Sequence, residues 1–153
     1  MIHSTDRFGN RYWTNEAGSY HRDDGPACEY VNGRVEWYQD GLLHRDDGPA
    51  ITGNKGSEAW YQNGAIHRVA GPALVGNGGS QYWYQHGKKH RVDGPAAILN
   101  SGDREWHQNG LLHRLDGPAI ERVFGTNEYW VFGKRVSEQE FNFFFKQHES
   151  DSR

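Results

Sequence analysis

Cys28 is the chain's one cysteine, which rules out an internal disulfide and agrees with a reducing compartment. Lys and Arg never run beyond two in a row and the formal net charge is -3, so the basic stripe of a general nucleic-acid binder is missing. No nucleic-acid partner is expected. Nor does any apolar run approach the roughly 18 residues that span a bilayer. Met1–Asp6 lacks the basic and apolar segments that open a secretory signal. The expectation is a soluble, cytoplasmic protein with no membrane insertion. Apolar residues are also scarce, at 35% of 153 with a mean hydropathy of -0.97, too lean for a thick globular core. What the chain does have is 21 aromatic residues, which bury more area apiece than aliphatic ones, and 20 glycines. With no long stretch of helical period, such a composition predicts short strands and an all-β fold.

The segment HRVDGPA at 90–96 resembles a small catalytic kit of His, Arg and Asp, but HRDDGPA at 21 and 44, HRVAGPA at 67 and HRLDGPA at 113 repeat it. His21, His44, His67, His90 and His113 are spaced by 23 residues, as are Trp37, Trp60, Trp83 and Trp106. A fixed period of this length marks a repeat array. Trp13 and Trp130 lie 24 residues from their neighbours, so every tryptophan falls in the repeat phase or one residue off it.

Turn chemistry divides each repeat. Asp40-Gly41, Asn63-Gly64 and Asn109-Gly110 are signals for two-residue type I′ hairpins. That loop sets Gln39 opposite Leu42, Tyr38 opposite Leu43, Trp37 opposite His44 and Glu36 opposite Arg45, with alternate pairs on opposite faces. Trp37/His44, Trp60/His67, Trp83/His90 and Trp106/His113 form the constant face and are expected to be the structural core of the array. Glu36/Arg45 and Glu105/Arg114 are positioned for cross-strand ion pairs. Arg68 faces Ala59 and Arg91 faces Tyr82, so ion pairing is not the common role of the arginines. Asp-Gly-Pro then turns the chain, with Asp expected on nearby backbone N–H groups, Gly expected at positive φ and Pro fixing φ on leaving the turn. Cys28 stands where other repeats carry Ile51, Leu74, Ala97 and Ile120, so it is expected to be a small buried hydrophobe.

The ends depart from the pattern. Residues 1–20 read as a degenerate half-repeat, and repeats start at 21, 44, 67, 90 and 113 in an array that ends at 136. Ser137 and Glu140 form a capping box, Val136 is placed to staple onto Phe141, and Phe141, Phe144 and Phe145 fall at helical spacing, predicting a C-terminal helix over 137–148. Its apolar stripe is expected to cover the open edge or end of the sheet. Residues 149–153 are expected to be a disordered tail.

The Tyr61-Gln62-Asn63-Gly64 hairpin leading to His67, with its 23-residue period, resembles the aromatic-x-N-G-x-x-H core of MORN repeats over about residues 9–136. Arg22-Asp23-Asp24-Gly25-Pro26-Ala27 and its copies replace the Gly-x-Gly that usually follows, as in divergent HRxDGPA repeat proteins of bacteria, phages and large viruses. The resemblance implies stacked β-hairpins in an elongated, twisted antiparallel sheet. It further implies scaffolding through protein or membrane contact, with no shared enzymatic activity.

Metal binding fails on spacing, because equivalent histidines of neighbouring repeats lie roughly 10–14 Å apart and zinc ligands lie about 2 Å from the ion. Catalysis is disfavoured because five regular copies make none special, and Ala70 drops the Asp while keeping the turn. No metal, no cofactor and no enzymatic activity are expected. The variable row Tyr38, Tyr61, Tyr84 and His107 suits a protein interface, or else packs on the helix or on a second sheet layer. Lys88 and Lys89 make the QHGKKH hairpin, 85–90, the one basic turn, a candidate anion site. The expected function is a non-enzymatic protein-binding scaffold, such as a phage- or virus-type inhibitor of a host protein. The alternative is a small-ligand or nucleotide-sequestering protein using Arg and Tyr. Self-association through the sheet edge or C-terminal helix is the other expected contact.

Overall fold

A computed structural model describes residues 1–146, and in it the repeats build two ribbons from one chain. Eleven strands, from Ile2–Thr5 to Ile120–Glu121, form one antiparallel sheet whose order follows the chain once the hairpins are skipped. Beyond the first two strands, Ile2–Thr5 and Arg11–Thr14, each is two residues long, and a full repeat supplies two of them, such as Ile51–Thr52 and Glu58–Ala59. Between these pairs the chain leaves the sheet to make five two-stranded hairpins, the first Tyr38–Gln39 with Leu42–Leu43 and the last Tyr129–Val131 with Lys134–Val136.

The tryptophan is the residue at which the chain changes ribbon. Its N–H donates to the alanine that follows Gly-Pro one repeat on, Trp37 to Ala50 at 2.7 Å and Trp60 to Ala73 at 2.8 Å, while its carbonyl accepts from the histidine across the hairpin at 3.0–3.1 Å. Those alanines, Ala27, Ala50, Ala73, Ala96 and Ala119, are fully buried. The core is thus a line of small side chains between closely approaching backbones, and the tryptophans are half-buried beside it. All five prolines of the chain precede these alanines, where a fixed φ ends the turn.

The hairpins have the register that their turns predict, with Tyr38 opposite Leu43 and Gln39 opposite Leu42. Asp40 and Gly41 both take positive φ, at 47° and 81°, as a type I′ turn requires. Successive hairpins are joined by two backbone bonds per step, for example Gly64 N–H to the Leu43 carbonyl and Arg45 N–H to the Tyr61 carbonyl. The expected Glu36/Arg45 and Glu105/Arg114 pairs do not form, because the change of ribbon at Trp carries each glutamate into the sheet. Glu36 pairs with Arg34, and Glu105 with Lys89 and His107.

The C-terminal helix begins at Glu138 behind a complete capping box of Ser137 and Glu140. It runs as α-helix over Glu138–Phe141 and as π-helix over Asn142–Lys146. Phe141 is fully buried and packs on Tyr129 of the last hairpin at 4.8 Å. Phe144, expected on the same stripe, is 61% exposed. The wider π turn rotates it away. The opposite end is bare, with all of Ile2–Thr5 exposed. Residues 147–148 of the expected helix and the tail 149–153 lie outside the described residues.

Candidate functional site

Five arginines give the constant face its common chemistry. The guanidiniums of Arg22, Arg45, Arg68, Arg91 and Arg114 lie 3.8–4.2 Å over the rings of Trp13, Trp37, Trp60, Trp83 and Trp106. Each also donates from Nη1 to the proline carbonyl four residues on, at 3.0–3.4 Å. In four repeats the turn aspartate accepts from Nε of the same arginine, at 2.7–3.0 Å. The aspartates expected on backbone N–H groups therefore serve mainly to orient a guanidinium. That bond holds Asp24, Asp47, Asp93 and Asp116 below the usual aspartate range.

The histidines act between repeats. Nδ1 of His21, His44, His67, His90 and His113 accepts the backbone N–H of the first turn residue in the next hairpin, 3.1 Å away in each case. The proton therefore rests on Nε2, and in the first two repeats Nε2 faces Asp23 and Asp46 at 3.2 Å. Burial lowers the pKa of His67 and His113, with the nearby His86 adding to the effect at His67. Among the described residues no group of three or more His, Cys, Asp or Glu is arranged to hold a metal ion.

In the row Tyr38, Tyr61, Tyr84 and His107 the tyrosines are half-buried and His107 is buried. Tyr38 and Tyr30 both donate to the buried Glu36, and burial pushes the Tyr38 hydroxyl up to about 12. Lower in the row, Glu105 accepts from Lys89 at 3.1 Å and lies 3.0 Å from His107 Nε2, which with Lys89 pulls its carboxyl down to about 2. Of the basic turn, Lys89 is thus committed inward and Lys88 is exposed. Cys28 is fully buried, and burial followed by Glu36 pushes its thiol up to about 11, which leaves it unreactive.

Open surface is also found along the HRxDG loops. Between successive loops run equivalent grooves, one of about 630 Å³ lined by Arg91, Asp93, Trp106, His113, Arg114 and Leu115. The next groove, between the loops that begin at Arg68 and Arg91, is about 400 Å³. The residue after each arginine is exposed: Asp23 and Asp46 in the first two repeats, then Val69, Val92 and Leu115, at 77%, 77% and 46% exposure. Aligning the five repeats displays this change from acidic to apolar directly in the sequence. The position is easily passed over because it belongs to neither the constant nor the variable hairpin face.

No family model matches the chain, and the curated proteins contain no match to it. Among the described residues no helix is long and apolar enough to cross a membrane.

Proposed function

We propose that this chain is a non-enzymatic protein-binding scaffold whose contact surface is the loop row Val69, Val92 and Leu115 with the grooves behind it. The observation that carries this reading is the run of three exposed apolar side chains at one position of consecutive repeats. Two sheet strands per repeat set them roughly 10 Å apart, a spacing of about three residues of extended polypeptide. Isolated exposed apolar residues are ordinary, but an aligned series rimming grooves with aromatic floors is what an elongated partner requires. The row Tyr38, Tyr61, Tyr84 and His107 then supports this surface from the far side of the hairpins. The similarity to MORN repeats points the same way.

The test is capture from a lysate of the source organism on immobilised wild-type chain and on a Val69→Asp/Val92→Asp/Leu115→Asp variant, with folding checked by circular dichroism. Proteins held by the wild type should be lost from a folded variant. Identical captured sets, or turnover of a captured small molecule, would refute the reading.

A further inference from the structure

In four of the five repeats the stacked arginine has a carboxylate partner of its own, and in the third it has none. Arg22 is met by Asp24 and Glu29, Arg45 by Asp47, Arg91 by Asp93, and Arg114 by Asp116 and Glu121. At the equivalent sites beside Arg68 stand Ala70 and Val75. Among the described residues the Arg68 side chain makes one hydrogen bond, from Nη1 to the Pro72 carbonyl at 3.0 Å, which leaves Nε and Nη2 without acceptors. The cation is still held in place, 3.8 Å over Trp60. The turn beside it also differs, since Gly71 alone of the five loop glycines takes a positive φ, 104°.

We propose that Arg68 is the receptor for an acidic side chain of a bound polypeptide, which occupies the position that the turn aspartate fills in the sibling repeats. The siblings show the geometry directly, a carboxylate oxygen 2.7–3.0 Å from Nε of a guanidinium stacked on tryptophan. A guanidinium so fixed meets an incoming carboxylate with its donors already oriented, and charge-assisted bonds of this kind are the strong ones. The surroundings select the ligand further. On the N-terminal side the loops carry Asp23 and Asp46, which have no arginine partner among the described residues and repel an acidic segment. On the C-terminal side Val69, Val92 and Leu115 offer it apolar seats. The nearby Asp47 and Asp93 are each engaged by their own arginine and do not compete for Arg68. This inference rests on the scaffold reading above and adds to it the chemistry of the partner: a carboxylate followed by apolar side chains.

The experiment follows the arginine Nε–H resonances of the full ¹⁵N-labelled chain by NMR while the blocked peptide acetyl-Leu-Asp-Leu-amide is added. The Arg68 Nε–H should exchange fastest with water of the five in the free protein, and it alone should shift on titration. Acetyl-Leu-Asn-Leu-amide should leave it in place. Ala70→Asp should slow its exchange to that of its siblings and weaken the peptide at least about tenfold, because the tethered carboxylate competes at high effective concentration. An Arg68 resonance that is protected in the free chain, or unmoved by the aspartyl peptide, overturns the proposal. So does a shift produced by inorganic phosphate but not by the peptide, which would make this a general anion site. Failure here with capture still lost in the triple Val69/Val92/Leu115 variant would remove the acidic ligand and leave the scaffold reading standing.

Discussion

His67 and His113 hold the next hairpin only while Nδ1 is unprotonated, because the partner is a backbone N–H and an imidazolium has no lone pair to offer it. Burial lowers the pKa of both below the ordinary histidine value, and the neighbouring His86 adds to the effect at His67. With the folded pKa depressed, the unfolded chain binds more protons, so stability is complete above about pH 6.5 and is lost as pH falls below it. The carboxylates follow the same sign in a lower window, since Asp47, Asp93 and Glu105 are also held below their ordinary values. Urea denaturation should accordingly show two declines, one as pH falls below about 6.5 and another below about pH 4.5. His113→Asn, whose side-chain oxygen can accept the same N–H without titrating, should shrink the first decline and leave the second intact. A first decline of unchanged size in His113→Asn and in His67→Asn would place the titrating group elsewhere.

Hairpins were the most legible element, because a type I′ turn is local chemistry: the Asn-Gly and Asp-Gly pairs set the loop, and alternation then sets every cross-strand partner. The Gly of the pair is needed twice. At Gly64 φ is +78°, and an added Cβ would come within 3.2 Å of Leu42 Cδ2 in the preceding hairpin. Gly56, in a sheet turn, has φ +77° and nothing within 4 Å of its added Cβ. Gly56→Ala should therefore cost about 1–2 kcal/mol, the strain of a left-handed residue alone, and Gly64→Ala more, by the displacement of Leu42. Equal midpoints in chemical denaturation would mean that the hairpins do not touch at their tips. The division into two ribbons could not be read, because Glu36-Trp37-Tyr38 is one β-prone run and its break depends on where the next repeat's alanine carbonyl lies. The arginine stack escaped for the same reason, since it forms only after Gly-Pro folds the loop back over the tryptophan. Phe144 was misplaced because helical spacing assumes 3.6 residues per turn, and the chain widens to a π turn at Asn142.

The whole molecule is a sum of one-repeat contacts. Trp donates to the next repeat's alanine, His accepts from the next repeat's turn, and the turn glycine donates back to the previous hairpin, each spanning a single step of the array. Nothing in this scheme counts repeats, and the two ends are dissimilar, one bare strand and one capped hairpin. Stability should then grow nearly linearly with the number of central units, as nearest-neighbour interfaces add. Inserting a second copy of residues 67–89 after residue 89 preserves every one of these contacts and adds one full set of them. The longer chain should give the same circular dichroism per residue, and a urea m-value raised in proportion to its larger buried surface, with a midpoint no lower than that of the parent. It should also carry a second Arg68-type loop and bind two equivalents of acetyl-Leu-Asp-Leu-amide where the parent binds one. A collapsed midpoint or aggregation would show that the array depends on contacts between its ends or on a set length, and the one-dimensional account of this fold would have to be given up.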